Sequence, residues 1–254
     1  MKKVKKLVIV LMAALLMLCV QTVPAKAATT LAKLKAGKTY TGYDITRDGR
    51  KDRFLYKSSS YQATVYVNNK KVAAISGGKA VKPTLYYWKV SKKDTYILVQ
   101  GASTGGFWYE AYQYKSGKLK KVYSFSASEL TDSGLYKASG KYLYMKYYAH
   151  RYGTFSLRHS RGLAVRFKYQ TSNGKISLAS RSATITSGRN FKALNSFRTS
   201  SVRGQYNTKG VYVKKGAAVR LTQVYLDKSG KMWYKVYAGG KGGWFPEDGR
   251  AMLK

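Results

Sequence analysis

Nowhere between residues 28 and 254 is an apolar pattern at i, i+3, i+4 and i+7 sustained, whereas short runs rich in Val, Ile, Tyr, Phe and Trp recur between Gly, Asn and Ser turns. A surface helix needs the first spacing to bury one face, and a half-buried strand needs only alternation. The chain therefore reads as all-β. Three hairpins are expected: 64–67 and 71–75 joined at Asn68-Asn69, 109–114 and 119–125 joined at Ser116-Gly117, and 163–169 and 176–179 joined through Ser172-Asn173-Gly174. Asn and Gly tolerate the positive φ angles that tight hairpin turns demand.

These hairpins read as one unit repeated. Tyr112-x-Tyr114-x-x-Gly117-Lys118-Leu119 is echoed by Phe167-x-Tyr169 with Gly174-Lys175-Ile176, and strands at 96–99 and 142–145 precede them. The two glycines lie 57 residues apart, and Asn69 lies 48 before Gly117. Periods near 50 suggest blade-like antiparallel sheets packed side by side. Three units fall short of the four to eight blades of a closed propeller, which leaves an open stack or a sandwich.

Residues 1–27 carry a positive start (Lys2, Lys3, Lys5, Lys6), an apolar run over 7–20 and the small-x-small triplet Ala25-Lys26-Ala27. That is the pattern of an export signal cleaved after Ala27. The apolar run is shorter than the roughly 20 residues a membrane-spanning helix needs, and no span is expected in the mature chain. Cleavage would remove five lysines and Cys19, leaving 43 Lys+Arg against 10 acids, a net charge of +33, and no thiol. Disulfides, cysteine nucleophiles and thiolate metal sites are thereby excluded, and the core must hold the fold. Thiol-free secreted proteins suit a Gram-positive bacterium. A chain so basic repels itself, and solubility alone would be served by mixed charge, so an anionic partner is expected. Residues 28–189 carry 30 basic and 7 acidic residues and 190–254 carry 13 and 3, so both halves share the excess.

The motif Tyr43-Asp44-Ile45-Thr46-Arg47-Asp48-Gly49-Arg50-Lys51-Asp52 places three of the ten acids in nine positions. Asp44, Thr46, Asp48, the Arg50 carbonyl and Asp52 are the oxygens a weak structural Ca²⁺ site would draw on. The motif resembles the Asp-rich strand-loop-strand of VCBS and FG-GAP repeats, which implies structural calcium. The basic neighbours Arg47, Arg50, Lys51 and Arg53 oppose a cation, and a turn held by Asx hydrogen bonds is the competing expectation.

The Ser/Thr/Gly/Arg-rich stretch at 181–190 reads as a linker between a β-repeat domain over 28–180 and a second domain over 191–254. In the latter, Gly210 to Gly216, Val219 to Tyr225, the Met232-Trp-Tyr-Lys-Val236 strand and the closing Gly243-Trp244 resemble a bacterial Src-homology-3-like domain. That resemblance implies a small barrel and cell-wall targeting. Tyr212, Tyr225, Trp233, Tyr234, Lys235, Tyr237 and Trp244 are then the candidate ligand face, because aromatic rings pack against sugars. Alternation puts Trp233, Lys235 and Tyr237 on one side of their strand and Met232, Tyr234 and Val236 on the other.

Catalytic patterns are missing: no G-x-S-x-G elbow, no H-E-x-x-H, no phosphate loop. His150 and His159 lack companion ligand spacing, the Gly-rich 101–106 loop sits between strands, and no pair of carboxylates stands out. The expectation is an exported, non-catalytic envelope protein that binds peptidoglycan or teichoic acid. Interleaved Lys and Tyr in Lys141-Tyr-Leu-Tyr-Met-Lys-Tyr-Tyr148 keeps a nucleic-acid or host-polyanion binder as the alternative, with an accessory wall enzyme behind it.

Overall fold

The computed structural model describes residues 30–78, 81–103, 106–125, 132–148, 163–187, 190–247 and 253. Every regular element among them is a strand. The proposed signal segment, His150 and His159 lie outside the described residues. No helix among the described residues is long and apolar enough to cross a membrane.

After β1 (Thr30–Lys33), three meanders follow in order. The first comprises β2 (Tyr40–Tyr43), β3 (Asp52–Ser58), β4 (Gln62–Val67) and β5 (Lys70–Ser76); the second β6 (Thr84–Lys89), β7 (Thr95–Ser103), β8 (Gly106–Lys115) and β9 (Lys118–Phe125); the third β10 (Asp132–Ser139), β11 (Tyr142–Tyr148), β12 (Ala164–Ser172) and β13 (Lys175–Leu178). All pair antiparallel. The three expected hairpins are the last two strands of each meander. Their turn residues have positive φ at both positions: 50° and 66° at Asn68-Asn69, 50° and 77° at Ser116-Gly117, 51° and 78° at Asn173-Gly174. Such turns match the right-handed twist of the strands they join, and their recurrence is the repeat seen in the sequence.

The meanders stack in layers. The four-stranded outer sheet (β2 to β5) packs Phe54, Val65 and Ile75 on Leu85, Ile97 and Val99 of the middle sheet. The opposite face of the middle sheet packs Trp88, Tyr96 and Leu98 on Leu143, Met145 and Phe167 of the third meander. Both faces of β7 are covered, so Tyr96-Ile97-Leu98-Val99 is apolar without alternation. β1 pairs with β6, tying the start of the described chain into the middle layer. Phe54, Trp88 and Phe167 are fully buried and contribute roughly 1.5–3 kcal/mol each.

The stretch expected to be a linker instead contains β14 (Ser182–Ser187), which pairs with β12. Then come β15 (Asn190–Lys192), β16 (Phe197–Arg198), β17 (Tyr212–Val213), β18 (Ala218–Leu226), β19 (Met232–Ala238) and β20 (Lys241–Pro246). β14 also pairs with β18, so β10, β11, β12, β14, β18, β19 and β20 form one sheet, with β13 on β12 and β15 on β18. The Ser/Thr composition misled because β14 is half exposed: Ala183 and Ile185 are buried while Thr184 faces out, and Thr-Ile-Thr suits a strand. The C-terminal strands extend this large sheet, and no closed barrel forms among the described residues. Phe197 of the small β16–β17 sheet packs on Phe245 at 4.7 Å, and Ser200 bridges to Trp244.

Candidate functional site

The Asp-rich loop between β2 and β3 is closed by hydrogen bonds. Asp52 Oδ2 accepts the backbone N–H groups of Ile45 (2.6 Å) and Thr46 (2.8 Å), the Thr46 hydroxyl lies 3.1 Å away, and Asn68 Nδ2 donates to Oδ1 at 2.7 Å. Asp48 accepts the Arg50 N–H at 2.8 Å, an Asx turn. Lys89 Nζ stands 3.8 Å from Asp44 Oδ2. In this loop Asp44 Oδ1 and Arg47 Nε are buried without a hydrogen-bond partner among the described residues. Of the residues Asp44, Thr46, Asp48, Arg50 and Asp52, the oxygens of Asp52 meet donors, Asp48 accepts the Arg50 N–H, and Asp44 Oδ2 stands near the Lys89 cation.

Other carboxylates are likewise engaged in holding the fold. Asp94 Oδ1 accepts the Gly174 N–H and the Tyr96 hydroxyl, tying the β6–β7 turn to the third meander. Glu110 accepts from Lys121 (2.9 Å) and Tyr112 (2.7 Å). Asp227 accepts from Trp233 Nε1, from Ser229 and from the Lys231 N–H. Partial burial would push its pKa up, but these hydrogen bonds outweigh that and hold it below the usual carboxylate value.

The outward face of the large sheet is different in kind. Residues opposite one another on paired strands share a face, and the register runs without a break from Lys146 to Arg166, Thr184, Gln223, Lys235 and Trp244. The inward row beside it, Ala183, Val224, Tyr234 and Phe245, is buried. No Asp or Glu occurs in β11, β12, β14, β18, β19 or β20. The two ion pairs among the described residues, Lys89–Asp44 and Lys121–Glu110, both lie in the other layers.

Tyrosine rings hold the cations of this face in place. Arg166 lies 3.8 Å from the centre of the Tyr136 ring, Lys168 3.7 Å from Tyr142, Lys137 5.0 Å from Tyr144 and Lys146 5.0 Å from Tyr148. At the far end Lys235 sits 5.5 Å from Tyr237 and 5.9 Å from Trp244. Each contact is worth about 0.5–1 kcal/mol where exposed, enough to bias where a cation rests.

Of the aromatic candidates, Tyr225, Trp233, Lys235, Tyr237 and Trp244 lie on this side of the sheet, since Tyr225 pairs with Trp233 and Lys235 with Trp244, but Trp233 and Trp244 are buried and only Tyr225, Lys235 and Tyr237 are partly exposed. Tyr234 points the other way and is 1% exposed, a core residue. Tyr212 is exposed but belongs to the small β16–β17 sheet. The sequence reading did not single out Arg166 and Lys168. Their alternation with Phe167 and Tyr169 carried the signal, and only the strand register showed that they join Lys146 and Lys235. A groove of about 660 Å³ opens beside Gln223, Lys235, Tyr237 and Arg220, next to the bulge between Leu221 and Gln223 in β18.

Compared with protein-family models, curated proteins and solved structures, the chain matches none.

Proposed function

We propose that this is an exported, non-catalytic protein that associates with the anionic polymers of a cell wall, teichoic acid phosphates or peptidoglycan carboxylates. The observation that carries this reading is the outward face of the large sheet, where β11, β12, β14, β18, β19 and β20 contain no acid and where, among the described residues, Arg166, Lys168 and Lys235 rest on aromatic rings and form no ion pair. Export is supported by the pattern of residues 1–27. The likeness of the last 60 or so residues to wall-targeting Src-homology-3-like sequences points the same way.

Nucleic acid is the second reading, carried by the same interleaving of Lys and Tyr. Stacking of bases needs free ring faces, and here Lys168 and Arg166 occupy the faces of Tyr142 and Tyr136, which favours partners that offer charge without bases.

The test is sedimentation of the mature chain with purified walls, with and without nuclease, before and after teichoic acid extraction, across a salt series. Binding is expected to survive nuclease and to fall steeply as the Debye length shrinks from about 8 Å at physiological salt to about 3 Å at 1 M. Loss of sedimentation on nuclease treatment would assign the face to nucleic acid, and no sedimentation at any salt would reject the wall.

A further inference from the structure

We propose that the large sheet carries one continuous binding track, running across its strands from Lys146 and Arg166 through Thr184 and Gln223 to Lys235, built for a flexible phosphodiester polymer without bases. This rests on the wall-polymer reading above and says which site of the molecule performs it and what it recognises.

The first ground is register. Lys146, Arg166, Thr184, Gln223 and Lys235 are successive cross-strand partners, so neighbours stand roughly 4.8 Å apart and Arg166 and Lys235 roughly 14 Å. The second is chemistry along the row. Cations at both ends suit phosphates, and between them the exposed Thr184 and Gln223 offer a hydroxyl and an amide to a polyol. Alternating charge and hydroxyl is what a polyol phosphate presents; a duplex or a bare polyphosphate offers no matching middle. The third is preorganisation. Arg166 rests on Tyr136 and Lys235 between Tyr237 and Trp244, so less side-chain freedom is lost on binding. Arg166 Nε is buried against the Tyr136 ring and has no hydrogen-bond partner among the described residues.

Shape selects the ligand further. Adjacent strands rotate by roughly 20–25°, so over four steps the side chains of the row swing through about a quarter turn around the line they lie along. A flexible chain can wind with them, which a duplex stiff over about 150 base pairs does less readily. The track ends at the groove of about 660 Å³ beside Lys235, with room for a substituent on the polymer.

The sequence-distant ends make the claim testable. The mature full chain and its Arg166→Gln, Lys235→Gln and double variants are titrated with poly(glycerol phosphate) over a salt series, with Arg53→Gln/Lys57→Gln in the outer sheet as the charge control and thermal melts to confirm folding. Each track variant is expected to lower affinity about tenfold and to reduce the slope of log K against log salt by about one, and the control is expected to leave site affinity within about twofold. Lys235→Gln without effect on affinity or slope would confine the site to β10–β12 and overturn the track. A control as damaging as the track variants, or a single-stranded oligonucleotide that displaces the polymer at equal phosphate, would overturn it too. Walls bound without any affinity for poly(glycerol phosphate) would sink the track and leave the wall reading standing; failure to bind walls would sink the wall reading itself.

Discussion

The two exposed layers of the stack are both basic, and they use their charge differently. The outer sheet shows Arg53 and Lys57 beside Tyr66, with Lys57 5.9 Å from the ring and a depression of only about 150 Å³. Its loop brings Asp44, Asp48 and Asp52 into the same layer, and Asp44 meets Lys89. The large sheet has no acid in its central strands and draws its cations from segments as far apart in sequence as Lys146 and Lys235. The difference teaches that net charge is a poor guide to a binding face. What matters is whether unpaired cations are set in one register on a rigid surface.

The largest effect expected concerns whether the large sheet is one unit. β18 is covered along 218–220 by β15 and along 223–225 by β14. A fragment of residues 190–254 therefore exposes half of that edge and loses the core shared with Ala183 and Ile185, and is expected to show no cooperative melt, while 181–254 recovers one. Equal melting of the two fragments would make the C-terminal part independent of β14.

Next is alkaline pH, which tests the cores on both faces of the middle sheet. Burial pushes the Tyr87 hydroxyl up to about 12, and burial likewise raises Tyr96, Tyr147 and Tyr169, the last two sharing a 2.7 Å hydrogen bond. A phenol that titrates higher folded than unfolded stabilises the fold fully below about pH 10 and loses that contribution as pH climbs through its folded value. The melting temperature is expected to hold steady up to about pH 10 and to drop by roughly 10 °C between pH 10 and 12, at about 2–4 °C per kcal/mol for a chain of this size. A flat profile to pH 12 would contradict the buried placement.

Smaller again is Asp52→Ala in the outer layer. It strands the N–H groups of Ile45 and Thr46 and the Asn68 amide, and is expected to cost about 3 kcal/mol in urea unfolding with wall binding unchanged. Calcium should have the least effect. With the loop closed by hydrogen bonds, melting in millimolar Ca²⁺ and in chelator should coincide, and a rise abolished by Asp48→Ala would restore the metal site.

Fold class was legible because turn chemistry is local: Asn68-Asn69, Ser116-Gly117 and Asn173-Gly174 announce their hairpins through backbone conformation alone. The side of Tyr234 followed from alternation against Trp233. The role of 182–187 was not legible, since a strand with one polar face differs from a linker only by its partners, β12 and β18. For the same reason the site was seen in pieces. Tyr142 to Tyr148 and Trp233 to Tyr237 each showed their own pattern, but their joining depends on nonlocal pairing through Thr184 and Gln223. Acid spacing raised the calcium expectation, and spacing by itself does not say how each carboxylate is partnered, as Asp52 is by the Ile45 and Thr46 N–H groups.

The most direct test sets the two outer layers against each other at equal charge. Arg166→Glu/Lys168→Glu on the large sheet and Arg53→Glu/Lys57→Glu on the outer sheet each change the net charge by the same amount, and both are compared with the parent chain for sedimentation with purified walls at physiological salt. The account predicts that the large-sheet variant loses at least tenfold in wall affinity while the outer-sheet variant stays within about twofold to threefold, the change expected from net charge acting through solvent. Equal loss in both would mean that total charge, and no particular face, holds the protein to the wall.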